Sequence, residues 1–277
     1  MLKATILAIA FFLNIPQLYA TETRHDLIIV QGQSKFVLKE NDFRQLHLDS
    51  IVVLDPVYKK HKRYAGYWLA DILALEDIHL DPKTVWTFKA LDGYKANIAV
   101  ADVEQSGAKA FVAVSDLDQE EGWEKIPHGK EFISPGPYYL VWQYPMDDVV
   151  PSIKLPWPYQ VIEISIHKPD EAQQKIFPDS NDKTDSIKRG YKVFQNNCMA
   201  CHSINLEGGA VGPELNVPKN ILDYENRNFL KSFIKNPSSY RARSKMPTFN
   251  KILTDQDVDD VLDYITWIGK HKIQNVQ

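Results

Sequence analysis

Cys198-Met199-Ala200-Cys201-His202 sets two thiols three residues apart, with an imidazole directly after the second. On a helix these positions are i, i+3 and i+4, so all three side chains leave from one face. Two thiols so placed can bond the two vinyl groups of a haem while the imidazole approaches the iron, the signature of covalent c-type haem attachment. The chain has no other cysteine, so attachment consumes its whole supply of thiols.

Other chemistry at this pair meets obstacles. A zinc site needs further ligands at suitable spacing, and no second cysteine pair exists to supply them. A thioredoxin-like redox pair should follow a strand, whereas this one ends an amphipathic run from Ile187 to Asn197. A structural disulfide leaves the adjacent His202 unexplained.

The elements around the motif read as helices. Asp185 or Ser186 can cap a helix that runs through Gly190, Tyr191 and Phe194 into Cys198. Asn228 to Ile234 reads as a short helix with Phe229, Leu230 and Phe233 apolar. Thr254 and Asp257 have the spacing of a capping box. Beyond them Val258, Val261, Leu262, Ile265 and Ile268 recur at helical spacing.

With the motif, Gly190-Tyr191-x-x-Phe194, Gly212-Pro213-Glu214-Leu215 and Met246-Pro247 resemble class I cytochrome c over about residues 184–274. The resemblance implies an all-α domain carrying one covalent haem c, bonded through Cys198 and Cys201. It implies His202 and Met246 as the axial iron ligands, and the Pro213 carbonyl as acceptor for the His202 ring, a contact that orients such a ligand. It also implies that Gly190 lets the first helix cross tightly against the last, where Tyr264 and Trp267 pack. A thioether on the iron raises the potential, as in other His/Met sites. The remaining methionines compete poorly: Met1 is the start, Met146 lies in a β-rich region and Met199 is inside the motif.

From Asp26 to about Lys168 the pattern changes to short strands and turns. Leu27 to Val30, Phe36 to Leu38, Ile51 to Leu54, Thr84 to Phe88, Ala110 to Val114, Tyr138 to Trp142 and Val161 to Ile166 read as strands. Asp92-Gly93 and Pro135-Gly136-Pro137 read as turns. One helix is expected among them, Gly66 to Leu75, with Tyr67, Leu69, Ile72 and Leu73 on one side. The dense aromatics read mostly as core, with Pro156-Trp157-Pro158-Tyr159 the stretch able to line a pocket or a partner surface. His25, His47, His61, His79, His128 and His167 are scattered without metal-ligand spacing.

Tyr64 to Leu73, Ala90 to Tyr94, Pro135 to Trp142 and Trp157 to Ile164 come in the order found in the sulfite-oxidase-like molybdopterin domain. They resemble it loosely over residues 50–166. The resemblance implies a mixed β-rich domain of that fold over residues 21–167. In that family a cysteine thiolate ligates molybdenum, and residues 21–167 contain no cysteine. The expectation is therefore a similar fold without its metal, since fold does not carry function.

The 277 residues are 44% hydrophobic and 25% charged, ordinary for a soluble α+β chain of two domains. A net charge of −4 is too mild to imply a nucleic-acid partner. Lys3, the apolar stretch Ala4 to Leu13, and Leu18-Tyr19-Ala20 read as a secretory signal peptide, residues 1–20, cleaved after Ala20. Its apolar run is short for a bilayer span, and no other stretch is a candidate. Export to the bacterial periplasm fits a haem attached on the outer side of the inner membrane. Residues 168–183, polar with Pro169 and Pro178, read as a linker to the cytochrome c domain at 184–277.

Charge is uneven along the chain. Residues 182–277 hold 14 Lys+Arg against 11 Asp+Glu, and residues 21–181 hold 17 against 25. Lys231, Lys235, Arg241, Arg243 and Lys245 precede Met246, a patch suited to an acidic redox partner or to the chain's own acidic domain.

These features point to a periplasmic monohaem electron carrier, not itself an enzyme, with a metal-free β-rich docking domain and a redox protein or oxidoreductase as partner. Two alternatives remain at this stage. One is a haem-based sensor whose β-rich domain binds a ligand. The other is an enzyme resembling sulfite dehydrogenase, with the haem as electron exit.

Overall fold

The computed structural model describes residues 25–128, 131–145, 155–169, 175–177 and 185–273. The signal peptide expected at residues 1–20, Met146 and most of the expected linker lie outside them.

Every expected strand run falls on a strand, with Thr84 and Tyr138 just outside theirs. In chain order they are β1 (Leu27–Gln31), β2 (Ser34–Leu38), β3 (Asp49–Asp55), β4 (Lys60–Trp68), β5 (Val85–Ala90), β6 (Lys95–Ala99), β7 (Lys109–Asp116), β8 (Ile126–His128), β9 (Glu131–Ile133), β10 (Tyr139–Gln143) and β11 (Val161–His167). A five-stranded sheet runs β2-β1-β11-β5-β6 and a four-stranded sheet runs β10-β7-β4-β3. β1 and β11 pair in parallel. Register follows alternation: Trp86 and Phe88 of β5 sit opposite Ile166 and Ile164 of β11, and opposite Ile98 and Ala96 of β6. A slip of one residue would turn this whole apolar set to the other face.

That face packs on Tyr67, Ala110, Val112, Leu140 and Trp142 of the second sheet, forming one core. The second sheet is buried on its other face too, where Ile51, Val53, Tyr64, Phe111, Tyr139 and Val141 form a separate core. Among the described residues, the charges enclosed in this region are partnered, as burial demands. Asp55 accepts from the Tyr64 hydroxyl at 2.7 Å and the Tyr139 hydroxyl at 2.9 Å. Lys62 Nζ reaches Asp116 at 2.7 Å and Glu124 at 3.0 Å.

The helix expected from Gly66 to Leu75 is shorter. β4 continues through Trp68, pairing Tyr67 with Val112 and Trp68 with Phe111 of β7, and α1 begins only at Leu69 (Leu69–Ala74). The ladder to β7 satisfies these backbone groups in an extended form and outweighs the local helical spacing. α2 (Val100–Ser106) follows β6 directly.

The last part of the chain is helical: α3 (Asp185–Asn197), α4 (Arg227–Lys235) and α5 (Asp255–Ile268). α3 and α5 cross at Gly190, where a Cβ would stand 1.9 Å from the Asp260 carbonyl oxygen. Only glycine permits that approach. Tyr264 then meets Tyr191 and Phe194 with ring centroids 5.6 and 5.8 Å apart. Thr254 caps α5, and both bonds of the Thr254–Asp257 capping box are present. Ile176, inside the expected linker, is fully buried in this core, and its carbonyl accepts from the Tyr264 hydroxyl at 2.7 Å. Among the described residues no helix is long and apolar enough to cross a membrane.

Candidate functional site

α3 delivers the two thiols. Past Asn197 the chain keeps a helical turn, with His202 N–H bonded to the Cys198 carbonyl at 2.9 Å and Cys201 N–H to the same oxygen at 3.1 Å. Cys198, Cys201 and His202 therefore leave one turn on one side, as their spacing requires. Neither cysteine is in a disulfide. Burial pushes the Cys198 thiol up to about 12, with Cys201 adding to the shift. Burial also raises Cys201, and the Asp92 carboxylate adds to it.

The segment after His202 folds back onto it. Gly212 N–H donates to the Cys201 carbonyl at 2.8 Å, and a Cβ at Gly212 would stand 2.2 Å from Cε1 of the His202 ring. With no side chain there, the backbone passes against the imidazole, and Pro213 O lies 2.8 Å from His202 Nδ1. A carbonyl only accepts, so Nδ1 carries the proton and Nε2 keeps its lone pair. Burial lowers the affinity of His202 for a second proton, partly offset by its bond to Pro213. A neutral imidazole with one committed nitrogen is the form that ligates a metal.

Glu214, between Pro213 and Leu215, anchors this loop. Its carboxylate accepts from the amides of Asn205, Leu206, Asn216 and Val217 at 3.0, 3.1, 2.9 and 3.1 Å. Spacing alone does not reveal such a role, because it depends on backbone amides turning toward one point.

Met246 is half-buried and borders the same hydrophobic core as Cys198. Its amide is held by Ser244 Oγ at 3.2 Å. The basic cluster ahead of it divides. Lys231 pairs with Asp259 and Lys235 with Asp255, both acids on α5. Arg241, Arg243 and Lys245 remain exposed. The expected five-residue patch is thus reduced to the three nearest Met246, because α4 lies against the acidic side of α5.

Comparison with known proteins agrees with this geometry. The family described as Cytochrome c matches residues 187–269. The C subunit of nitric oxide reductase from Stutzerimonas stutzeri is 35% identical over 104 residues, covering 35% of this chain and 70% of that protein. Its counterpart in the nitric oxide reductase of Paracoccus denitrificans is 30% identical over 119 residues, 40% of this chain and 77% of that protein. Cytochrome c6 of Bumilleriopsis filiformis is 30% identical over 81 residues, 28% of this chain and 87% of that protein. These matches support a haem electron-transfer protein, and the family carries haem c, with its iron, covalently bound. Through its C-terminal helical region, this chain belongs to the cytochrome c family.

Proposed function

We propose that this chain is an exported, periplasmic, monohaem cytochrome that passes single electrons between redox partners. Residues 184–277 are its haem domain, and residues 21–167 a metal-free docking domain of sulfite-oxidase-like fold. Residues 1–20 are a signal peptide removed on export. In this reading Cys198 and Cys201 bond the haem, His202 and Met246 are its axial ligands, and Pro213 orients His202.

The donor set fits that group. One helical turn presents two thiols not bonded to each other, and the adjacent imidazole has Nε2 free. A thioether suits a soft metal position. When bound, the haem supplies a one-electron ferric/ferrous couple. The chain's part is positional: Pro213 fixes the His202 ring, Glu214 fixes Pro213, and the core shared by Cys198 and Met246 keeps water out. The observation that carries the proposal is the 2.8 Å contact of His202 Nδ1 with Pro213 O, since it leaves a single ring nitrogen for iron.

Two of the relatives are parts of nitric oxide reductase by name, which supports an oxidoreductase complex as partner. The exposed Arg241, Arg243 and Lys245 suit an acidic face on it. The test is expression in a bacterium competent for cytochrome maturation. A haem-staining band on a denaturing gel, one iron per chain and recovery in the periplasmic fraction are expected. Colourless mature protein would refute the proposal.

A further inference from the structure

The β5–β6 hairpin sits on the segment that carries the two cysteines. Lys95 N–H donates to the Ala200 carbonyl at 2.9 Å, and Ala210 N–H donates to the Gly93 carbonyl at 2.9 Å. Further along β6, Asn97 Nδ2 lies 3.9 Å from the Met199 sulfur. β6 is an edge of the five-stranded sheet, and an edge leaves backbone groups without a strand partner. Here part of that edge is completed by the cysteine segment itself. Gly93 at the turn has φ +89°, and a Cβ there would stand 3.1 Å from Ala210. Backbone meets backbone at this point, and glycine is what fits.

Cys201 lies between the two docking points. Ala200 precedes it, and Ala210 is two residues from Gly212, whose amide binds the Cys201 carbonyl. At the turn itself Tyr94 N–H donates to Asp92 Oδ1 at 2.9 Å, and Leu91 N–H donates to the Gln160 carbonyl at 2.9 Å, which sets Tyr159 next to the same turn. Burial raises both tyrosine hydroxyls, and Cys201 is among the further causes for each.

We propose that residues 92–95, with Tyr159 beside them, form a built-in cap over the Cys201 side of the haem site, shielding it from water and outside partners and setting its potential. The proposal rests on the assignment of Cys201 as a haem attachment residue. Two opposed effects follow. A water-poor wall disfavours the more highly charged oxidised state and raises the potential. The Asp92 carboxylate favours the oxidised state and lowers it. Outside exchange is then directed to the Met246 side, where Arg241, Arg243 and Lys245 are exposed.

The full-length holoprotein provides the test, by amide hydrogen exchange and by midpoint potential. In the wild type the Lys95 and Ala210 amides should exchange about 100-fold more slowly than unbonded loop amides. Gly93→Val, which forces a side chain into Ala210, should speed exchange at both amides about tenfold or more and lower the potential. Asp92→Asn keeps an oxygen for the Tyr94 amide, so it should raise the potential without changing exchange. Unprotected Lys95 and Ala210 amides in the wild type would overturn the cap. So would a potential that Asp92→Asn leaves unmoved. Haem staining of each protein on a denaturing gel reports attachment separately: loss of stain in the wild type refutes the haem assignment, whereas the exchange measurement reads the docking alone.

Discussion

His202 Nδ1 lies 2.8 Å from the carbonyl oxygen of Pro213, and the residue that keeps that carbonyl in place is its neighbour Glu214. Four backbone amides from two stretches, residues 205–206 and 216–217, converge on the Glu214 carboxylate. The loop is thereby tied to the turn at residues 205–206 that follows His202. An imidazole that hydrogen-bonds to a fixed acceptor cannot swing, and its proton stays on one nitrogen. The chain prepares the ring's orientation through a carboxylate that does not itself touch the ring.

Glu214→Ala should lower stability by about 2–4 kcal/mol, because hydrogen bonds to a charged group are lost and amides are left without acceptors. The two oxygens are not equivalent. One accepts from Asn205, Asn216 and Val217, the other from Leu206 alone. Glu214→Gln can keep its amide oxygen on the three-donor side, so it should lose clearly less. Denaturant midpoints at unchanged slope measure both. Equal losses would show that charge, not directed bonding, holds the loop.

Met246→Ala should open one coordination position. The ferrous variant is then expected to bind carbon monoxide, which the wild type excludes, and its potential should fall as the thioether is lost. An unchanged absorption spectrum, together with failure to bind the gas, would remove Met246 from the site.

The candidate site is legible where chemistry is written into spacing. Cys198, Cys201 and His202 come from one turn, and Pro213 and Met246 sit in recognisable phrases. The strands were legible for a similar reason: period-two runs such as Val161 to Ile166 have one face to bury. What local spacing does not encode depends on tertiary contact. β4 absorbed Gly66 to Trp68 because β7 offered a ladder, and no local pattern reports a partner strand that far along the chain. Lys231 and Lys235 are paired only because α4 lies against Asp259 and Asp255 of α5. The docking of Gly93 and Lys95 on Ala210 and Ala200 uses backbone groups, which every residue has, so no side-chain pattern could announce it.

The end of α5 offers a sharper case of buried polarity. Asn205, Asn216 and Asn220 form a chain of amides, each at most 2% exposed. Asn216 Nδ2 donates to Asn205 Oδ1 at 2.7 Å and to the Ile268 carbonyl at 3.0 Å. Asn220 Nδ2 donates to Asn216 Oδ1 at 2.9 Å and to the Ile265 carbonyl at 2.9 Å. The ladder thus gives a second donor to carbonyls of the last helical turn, which also accept from the Gly269 and His271 amides. Asn216→Leu, close in volume, should cost about 3 kcal/mol or more, since it strands partners on both sides. Chemical denaturation checks this, and a loss under about 1 kcal/mol would mean that water replaces the amide.

The contact that locks α3 to α5 should also carry a pH signature. Asp260 is 1% exposed, and its carboxylate accepts from Arg189 Nε at 2.6 Å and Nη2 at 3.0 Å. The Arg189 bonds hold its carboxyl below the ordinary value of 3.8, outweighing the opposite push of burial. A carboxyl that resists protonation more in the folded state than in the unfolded one contributes stability above the unfolded value. That contribution disappears as the pH falls through the folded value. Asp260→Asn should therefore be less stable than the wild type at neutral pH, by a margin that stays constant down to about pH 4 and closes below it. Asp257 and Asp259 also have lowered values, but they titrate in both proteins and largely cancel in the difference. Thermal midpoints of the two proteins across the acid range give the comparison. Curves that run parallel through the whole range would mean that the Asp260 carboxylate contributes by shape alone, and that its charge does not couple the two helices.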